Sequence, residues 1–181
     1  MTPLIVIGAI VAVGAIYVVL PVFLDAYRRF RGTRLVTCPE TQHTAAVEVD
    51  ARHAAIGAAV GTSQLRLREC SRWPEREDCG QECLRQIEVA PEDCLVRTML
   101  TTWYRDKSCA LCSAPFEAVE SWGHRTALRG PDGRTMEWSE VPADTLPEVL
   151  ASHQPVCWNC HVAESFRRQH PELVIDRPSL H

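Results

Sequence analysis

Lysine is almost missing from this chain: of nineteen basic residues, only Lys107 is not arginine. So complete a bias reads as codon composition, and no function follows from it. The segment beyond residue 35 also lacks a basic stripe, and the whole chain carries a net charge of −4. Nucleic-acid recognition needs clustered cations against phosphate, so no nucleic acid is expected as a partner. Catalytic signatures are missing too. There is no phosphate-cradling glycine loop, nucleophile elbow or His-Glu-x-x-His pair. His43, His53, His124, His153, His161, His170 and His181 stand singly, and most read as surface side chains. Glu92 and Asp93 are explained by the first turn of a helix, where the dipole favours acids. The chain is therefore expected not to be an enzyme.

Charge is absent from Thr2 to Leu24. The stretch from Leu4 to Leu24 is long enough, at about 1.5 Å per residue, to cross the roughly 30 Å hydrocarbon layer of a bilayer. A cleaved secretory signal would want a basic start, a shorter apolar run and small residues at a cleavage site. None is evident, so residues 1–26 read as a retained single transmembrane helix. Arg28, Arg29, Arg31 and Arg34 follow in a basic juxtamembrane segment, residues 27–34. The positive-inside bias puts them, and all that follows, on the cytoplasmic side. The expectation is a single-pass protein of the cell inner membrane with its C-terminal domain in the cytoplasm. Its partners would be the lipid bilayer and another membrane protein.

What the chain has in excess is cysteine, nine in all. Cys109-Ala110-Leu111-Cys112 and Cys157-Trp158-Asn159-Cys160 each place two sulfurs two residues apart, so that one tight turn aims both at a common point. Two such pairs supply the four thiolates of a closed zinc site. Between them a hairpin is expected at Thr126–Leu128 and Thr135–Trp138 around Gly130-Pro131-Asp132-Gly133. A weakly alternating stretch runs from Phe116 to Trp122. Val141–Ser152 reads as an amphipathic helix or loop broken by Pro142 and Pro147. Cys157-x-x-Cys160 then opens a helix that runs to about Gln169, where the dipole lowers thiol pKa values and favours thiolate.

The order of knuckle, hairpin and ligand-bearing helix over residues 107–170 resembles treble-clef and zinc-ribbon modules. The resemblance rests on Cys109, Cys112, Cys157 and Cys160 and implies a structural zinc held by four cysteines. The long insertion between the pairs departs from a minimal member of that group.

Residues 35–106 carry the other five cysteines. Cys38 falls at the turn of a hairpin between Leu35–Thr37 and Ala45–Val49. Asp50 caps a short helix, Ala51–Val60, ended by Gly61. Gln64–Cys70 alternates as a strand that delivers Cys70. Cys79 and Cys83, four apart, share a helical face, and a helix follows to Val89. Pro91-Glu92-Asp93 begins a further helix to about Asp106, with Val96, Leu100, Trp103 and Tyr104 as its core stripe. A second four-cysteine site is expected from Cys70, Cys79 and Cys83, with either Cys38 or Cys94 as the fourth; one of the five is then a small buried apolar side chain.

Two other chemistries fit the same residues. Cys157, Cys160 and His161 resemble the c-type haem attachment motif. Haem attachment, however, belongs to the outer compartment. No methionine follows His161, leaving Met136, His153, His170 or His181 as the distal ligand, and Cys109 and Cys112 would have no task. An iron–sulfur cluster needs the same four thiolates, but no compact run of three cysteines at that spacing is present. Disulfides are disfavoured in the cytoplasm. Closing a loop of about 45 residues with one contributes roughly 3–4 kcal/mol, against about 10–16 kcal/mol for a structural zinc.

The sequence thus predicts an α+β protein: an N-terminal transmembrane helix followed by a small cysteine-rich, metal-stabilised domain, with subdomains at 35–106 and 107–181 and two zinc sites. Its expected role is an adaptor or accessory subunit of a membrane complex, with Trp73, Trp122 or Trp138 as candidate partner contacts. The alternative is a membrane-tethered electron carrier with haem or an iron–sulfur cluster.

Overall fold

The computed structural model describes residues 2–62, 64–73, 75, 78–116 and 126–173. The alternating stretch after Phe116, with Trp122 and His124, lies outside them, as does His181. The chain divides into two units, Met1–Thr98 and Met99–His181.

The first unit begins with helix α1, Thr2–Phe30. Its side chains stay exposed from Ile5 to Leu20, because no other element among the described residues covers this uniformly apolar surface. Only near its end does the helix acquire a buried residue, Ala26, and a core contact through Phe30. The strands β1 (Thr33–Thr37), β2 (Thr44–Val49) and β3 (Leu67–Cys70) form an antiparallel sheet in the order β1-β2-β3. In β2 the period of two sends Ala45, Val47 and Val49 inward, where they meet Val36, Leu67 and Ile87. Between β2 and β3 lies helix α2, Ala51–Val60, which packs against α1. Asp50 caps it by accepting the His53 amide at 2.9 Å. Gly61 ends it at φ +78°, a left-handed conformation that glycine adopts without a Cβ penalty.

Three local expectations are corrected here. The strand at Gln64–Cys70 is shorter, since Arg66 binds the Asp50 carboxylate and the register shifts at Glu48/Val49. Cys79 and Cys83 do not share a helical face. Gln81 has φ +54°, which breaks any helix there, and α3 starts only at Leu84 and runs to Val89. Pro91–Cys94 forms turns, and helix α4 covers Val96–Tyr104. Arg34 also departs from the juxtamembrane expectation. Arg28, Arg29 and Arg31 are exposed, but Arg34 is fully buried. Its guanidinium donates to the carbonyls of Phe30 (2.7 Å), Gly32 (3.1 Å), Pro91 (3.2 Å) and Arg29. Two of these are last-turn carbonyls of α1, which have no partner within the helix and lie at its negative end.

The unit boundary falls inside α4, because its second half is anchored in the second unit. There the Trp103 indole donates to the Leu150 carbonyl at 3.0 Å and the Tyr104 hydroxyl to that of Ala127 at 2.8 Å. Strands β4 (Thr126–Arg129) and β5 (Thr135–Glu137) form the expected hairpin. A third strand, β6 (Gln154–Cys157), pairs with the other side of β4, so the sheet order is β5-β4-β6. Helix α5, Leu146–Ser152, carries Pro147 in its first turn instead of breaking there, since proline fits the first helical turn. Helix α6, Trp158–Gln169, follows β6 without a loop. Ala127, Leu128, Val156, Leu146 and Leu150 fill the core of this unit.

Candidate metal centre

Cys109–Ala114 is a turn closed from both sides. The Cys109 amide donates to the Ala114 carbonyl at 2.9 Å, and the Ser113 amide returns to the Cys109 carbonyl at 2.8 Å. Ser113 takes φ +59° to allow it, and Ser108 bridges Pro115 just outside. The Ala110 amide then binds the Pro155 carbonyl at 2.9 Å, which docks this knuckle against the outer edge of β6. The last residue of β6 is Cys157, the N-cap of α6, and Cys160 lies in the first turn. A turn, a strand end and a helix start thus converge.

The sulfurs of Cys109, Cys112, Cys157 and Cys160 all lie within 4.8 Å of one another, and they form the one such group of cysteine, histidine and acidic ligands among the described residues. Cys112 and Cys157 are 3.8 Å apart. That is far beyond a disulfide bond of about 2.05 Å, and all four cysteines are unbridged. It equals the edge of a tetrahedron whose metal–sulfur bonds are about 2.3 Å. The arrangement provides four soft donors around one point, the requirement for holding a thiophilic ion.

The electrostatics of the quartet are uneven. Burial opposes ionisation of Cys109, but the amides of Cys157, Leu111 and Cys112 outweigh it and bring the thiol down to about 6. The Cys157 amide donates to this sulfur at 3.3 Å. Cys160 is pushed up by burial and then by the sulfurs of Cys157, Cys112 and Cys109; Cys157 is also raised, again chiefly by burial. The surroundings thus favour the thiolate at Cys109 and disfavour it at Cys157 and Cys160, where a cation would offset the repulsion between sulfurs.

His161 proves to be neither a surface side chain nor a member of this group. It is buried, and its Nδ1 lies 3.0 Å from the hydroxyl of Thr135 on β5, itself buried. The pair fastens the first turn of α6 to the sheet and so positions Cys157 and Cys160. Nothing in the spacing of these two residues signalled the contact.

No protein-family model, curated protein or solved structure matches this chain. Its chemistry has to be read from its own residues.

In the first unit, Cys38, Cys70, Cys79 and Cys83 line one cavity of about 150 Å³ together with Trp73 and Val47. Cys94 does not line it. The Cys94 sulfur lies 4.0 Å from the Gln86 carbonyl, and its thiol is raised by burial, an effect the neighbouring Arg34 charge partly opposes. Trp73 packs against the core of this unit and Trp138 is half-buried, so neither stands out as a free contact.

Proposed function

We propose that this is a membrane-anchored protein whose second unit is organised by a structural zinc held by Cys109, Cys112, Cys157 and Cys160, serving as an adaptor or accessory subunit of a membrane complex. The convergence of these four sulfurs within 4.8 Å carries the reading. Four thiolates close the coordination shell and leave no open position for substrate, which fits a structural ion and not a catalytic one. The knuckle, the hairpin and a helix bearing the second ligand pair follow one another as in treble-clef and zinc-ribbon modules.

Two observations favour zinc over c-type haem. Cys157 and Cys160 share their focus with Cys109 and Cys112, and Nδ1 of His161 is engaged by Thr135. Retention of α1 as an anchor is supported by its end. Ala26 is buried, Phe30 packs on the core, and the carbonyls of Arg29 and Phe30 hold Arg34. A cleaved leader would take part of the fold with it. The exposed Arg28, Arg29 and Arg31 argue for a cytoplasmic domain. Val162 and Phe166, one turn apart on α6 and about half exposed, offer an apolar contact for a partner protein.

Elemental analysis and a visible spectrum of the purified full chain test the metal. Zinc with no visible absorption is expected. A Soret band, or iron with acid-labile sulfide, overturns the reading. Reporter fusions at the carboxyl end test the topology, with a cytoplasmic signal expected.

A further inference from the structure

The turn at Cys38 repeats the backbone hydrogen bonding of the metal knuckle of the other unit. In the knuckle, the Cys109 amide donates to the carbonyl five residues on, at 2.9 Å, and the amide four residues on returns to the Cys109 carbonyl, at 2.8 Å. At Cys38 the same two bonds run to His43 at 2.9 Å and from Gln42 at 2.8 Å. The fourth residue after the cysteine is left-handed in both, Ser113 at φ +59° and Gln42 at φ +57°. The flanking residues pair across both turns, Ser108 with Pro115 and Thr37 with Thr44. Amides two and three residues on face both sulfurs: those of Leu111 and Cys112 at Cys109, and those of Glu40 and Thr41 at Cys38. Thr41 stands where the knuckle has its second sulfur.

A lone cysteine in such a turn would carry nothing, but this one shares a cavity with three more. Cys70 ends β3, Cys79 and Cys83 flank the Gln81 bend before α3, and all four line the same cavity. Three segments thus bring four cysteines to the lining of one cavity, without the close sulfur approach of the second-unit quartet. Cys94 packs on the core beside them but outside the cavity.

We propose that Cys38, Cys70, Cys79 and Cys83 form a second thiolate site for a zinc-class ion, with the single sulfur of the Cys38 turn completing a set that Cys70, Cys79 and Cys83 begin. This goes beyond the centre in the second unit and does not depend on it. Ion binding releases the thiol protons and involves no change of oxidation state. Of the nine cysteines, only Cys94 is left without a metal.

The test is zinc content and thiol count on the full chain purified in detergent. Two zinc ions per chain are expected, with at most one thiol reactive in the loaded protein and nine after chelation in denaturant. Cys38→Ser should lower zinc to one per chain, Cys94→Ser should leave two, and Cys112→Ser should remove the other ion independently. Should Cys38→Ser fail to fold, Cys38→His keeps a ligand. Cobalt substitution should then show one site with four sulfur ligands and one with three sulfurs and a nitrogen. One zinc per chain with five reactive thiols in the wild type, or Cys38→Ser retaining two ions, overturns this site and leaves the other untouched. Iron with acid-labile sulfide lost on Cys38→Ser also overturns it, as a cluster in place of a single ion.

Discussion

The backbone amide of Cys157 donates to the sulfur of Cys109, 48 positions earlier in the chain, at 3.3 Å. This bond ties the start of α6 to the knuckle before any ion is considered. It also favours the thiolate form of Cys109. An ion held here would therefore be coupled to the fold, and removing one should damage the other.

Cys112→Ser isolates that coupling. Cys112 is exposed, so the exchange removes little packing but takes away one of four ligands. A loss of several kcal/mol from the second unit is expected, since structural zinc contributes on the order of 10 kcal/mol in small domains. Chelation of the wild-type protein should give the same lowered transition in a denaturant melt, and chelation of the variant should add little.

His161 separates positioning from ligation. His161→Ala removes the bond to Thr135 and leaves a gap in the core, at an expected cost of about 2–3 kcal/mol. A cobalt-substituted sample should nonetheless keep its four-sulfur spectrum at the second-unit site. Thr135→Val should reproduce part of the loss by removing only the hydroxyl. A change of ligand field in either variant would contradict the positioning role.

Asp50 gives a pH dependence with a defined sign. The amide of His53 first, and then Arg66, hold its carboxyl below the ordinary carboxylate value. A depressed native pKa means stability that is present above the unfolded value and lost as pH falls through the native one. Acidification from about pH 5 to pH 3 should therefore weaken the first unit. Asp50→Asn keeps a good N-cap and should flatten this part of the stability profile, whereas Asp50→Ala should cost about 1 kcal/mol at neutral pH.

Arg34 is the fourth test. Arg34→Met fills much of the space but leaves the carbonyls of Arg29, Phe30, Gly32 and Pro91 without their donor, at an expected cost of about 2–4 kcal/mol. Arg34→Lys should recover only part of it, because an ammonium cannot reproduce the planar fork. Limited trypsinolysis at Arg31 would report the loosened helix end as faster cleavage.

Much of this was legible because local chemistry and final structure agree. The Asp50 cap, the Gly61 stop, the hairpin around Gly130–Gly133 and the two Cys-x-x-Cys pairs are each determined within a few residues. What was not legible depends on distant partners. Pro155 hides β6, since proline inside a run argues against a strand; here its carbonyl serves Ala110 on the outer edge. Cys79 and Cys83 have helical spacing, yet Gln81 adopts a conformation that nothing in its side chain announces. Arg34 looks like the last of four juxtamembrane charges, and only the tertiary structure distinguishes the one that turns inward. The Cys38 knuckle is silent in the sequence because Thr41 occupies the position where a second sulfur would have advertised it.

Only Arg31 and Gly32 separate α1 from β1, and Gly32 is at φ +99° with Leu95 so near that a Cβ would meet it at 3.2 Å. Such a joint has no slack. In a bilayer, the first sheet would inherit the helix's tilt and rotation directly, as a blade inherits the angle of its handle. Lengthening the joint with a few serines would leave Phe30 and the packing of α1 on α2 as the remaining links between helix and sheet, with every cysteine in place.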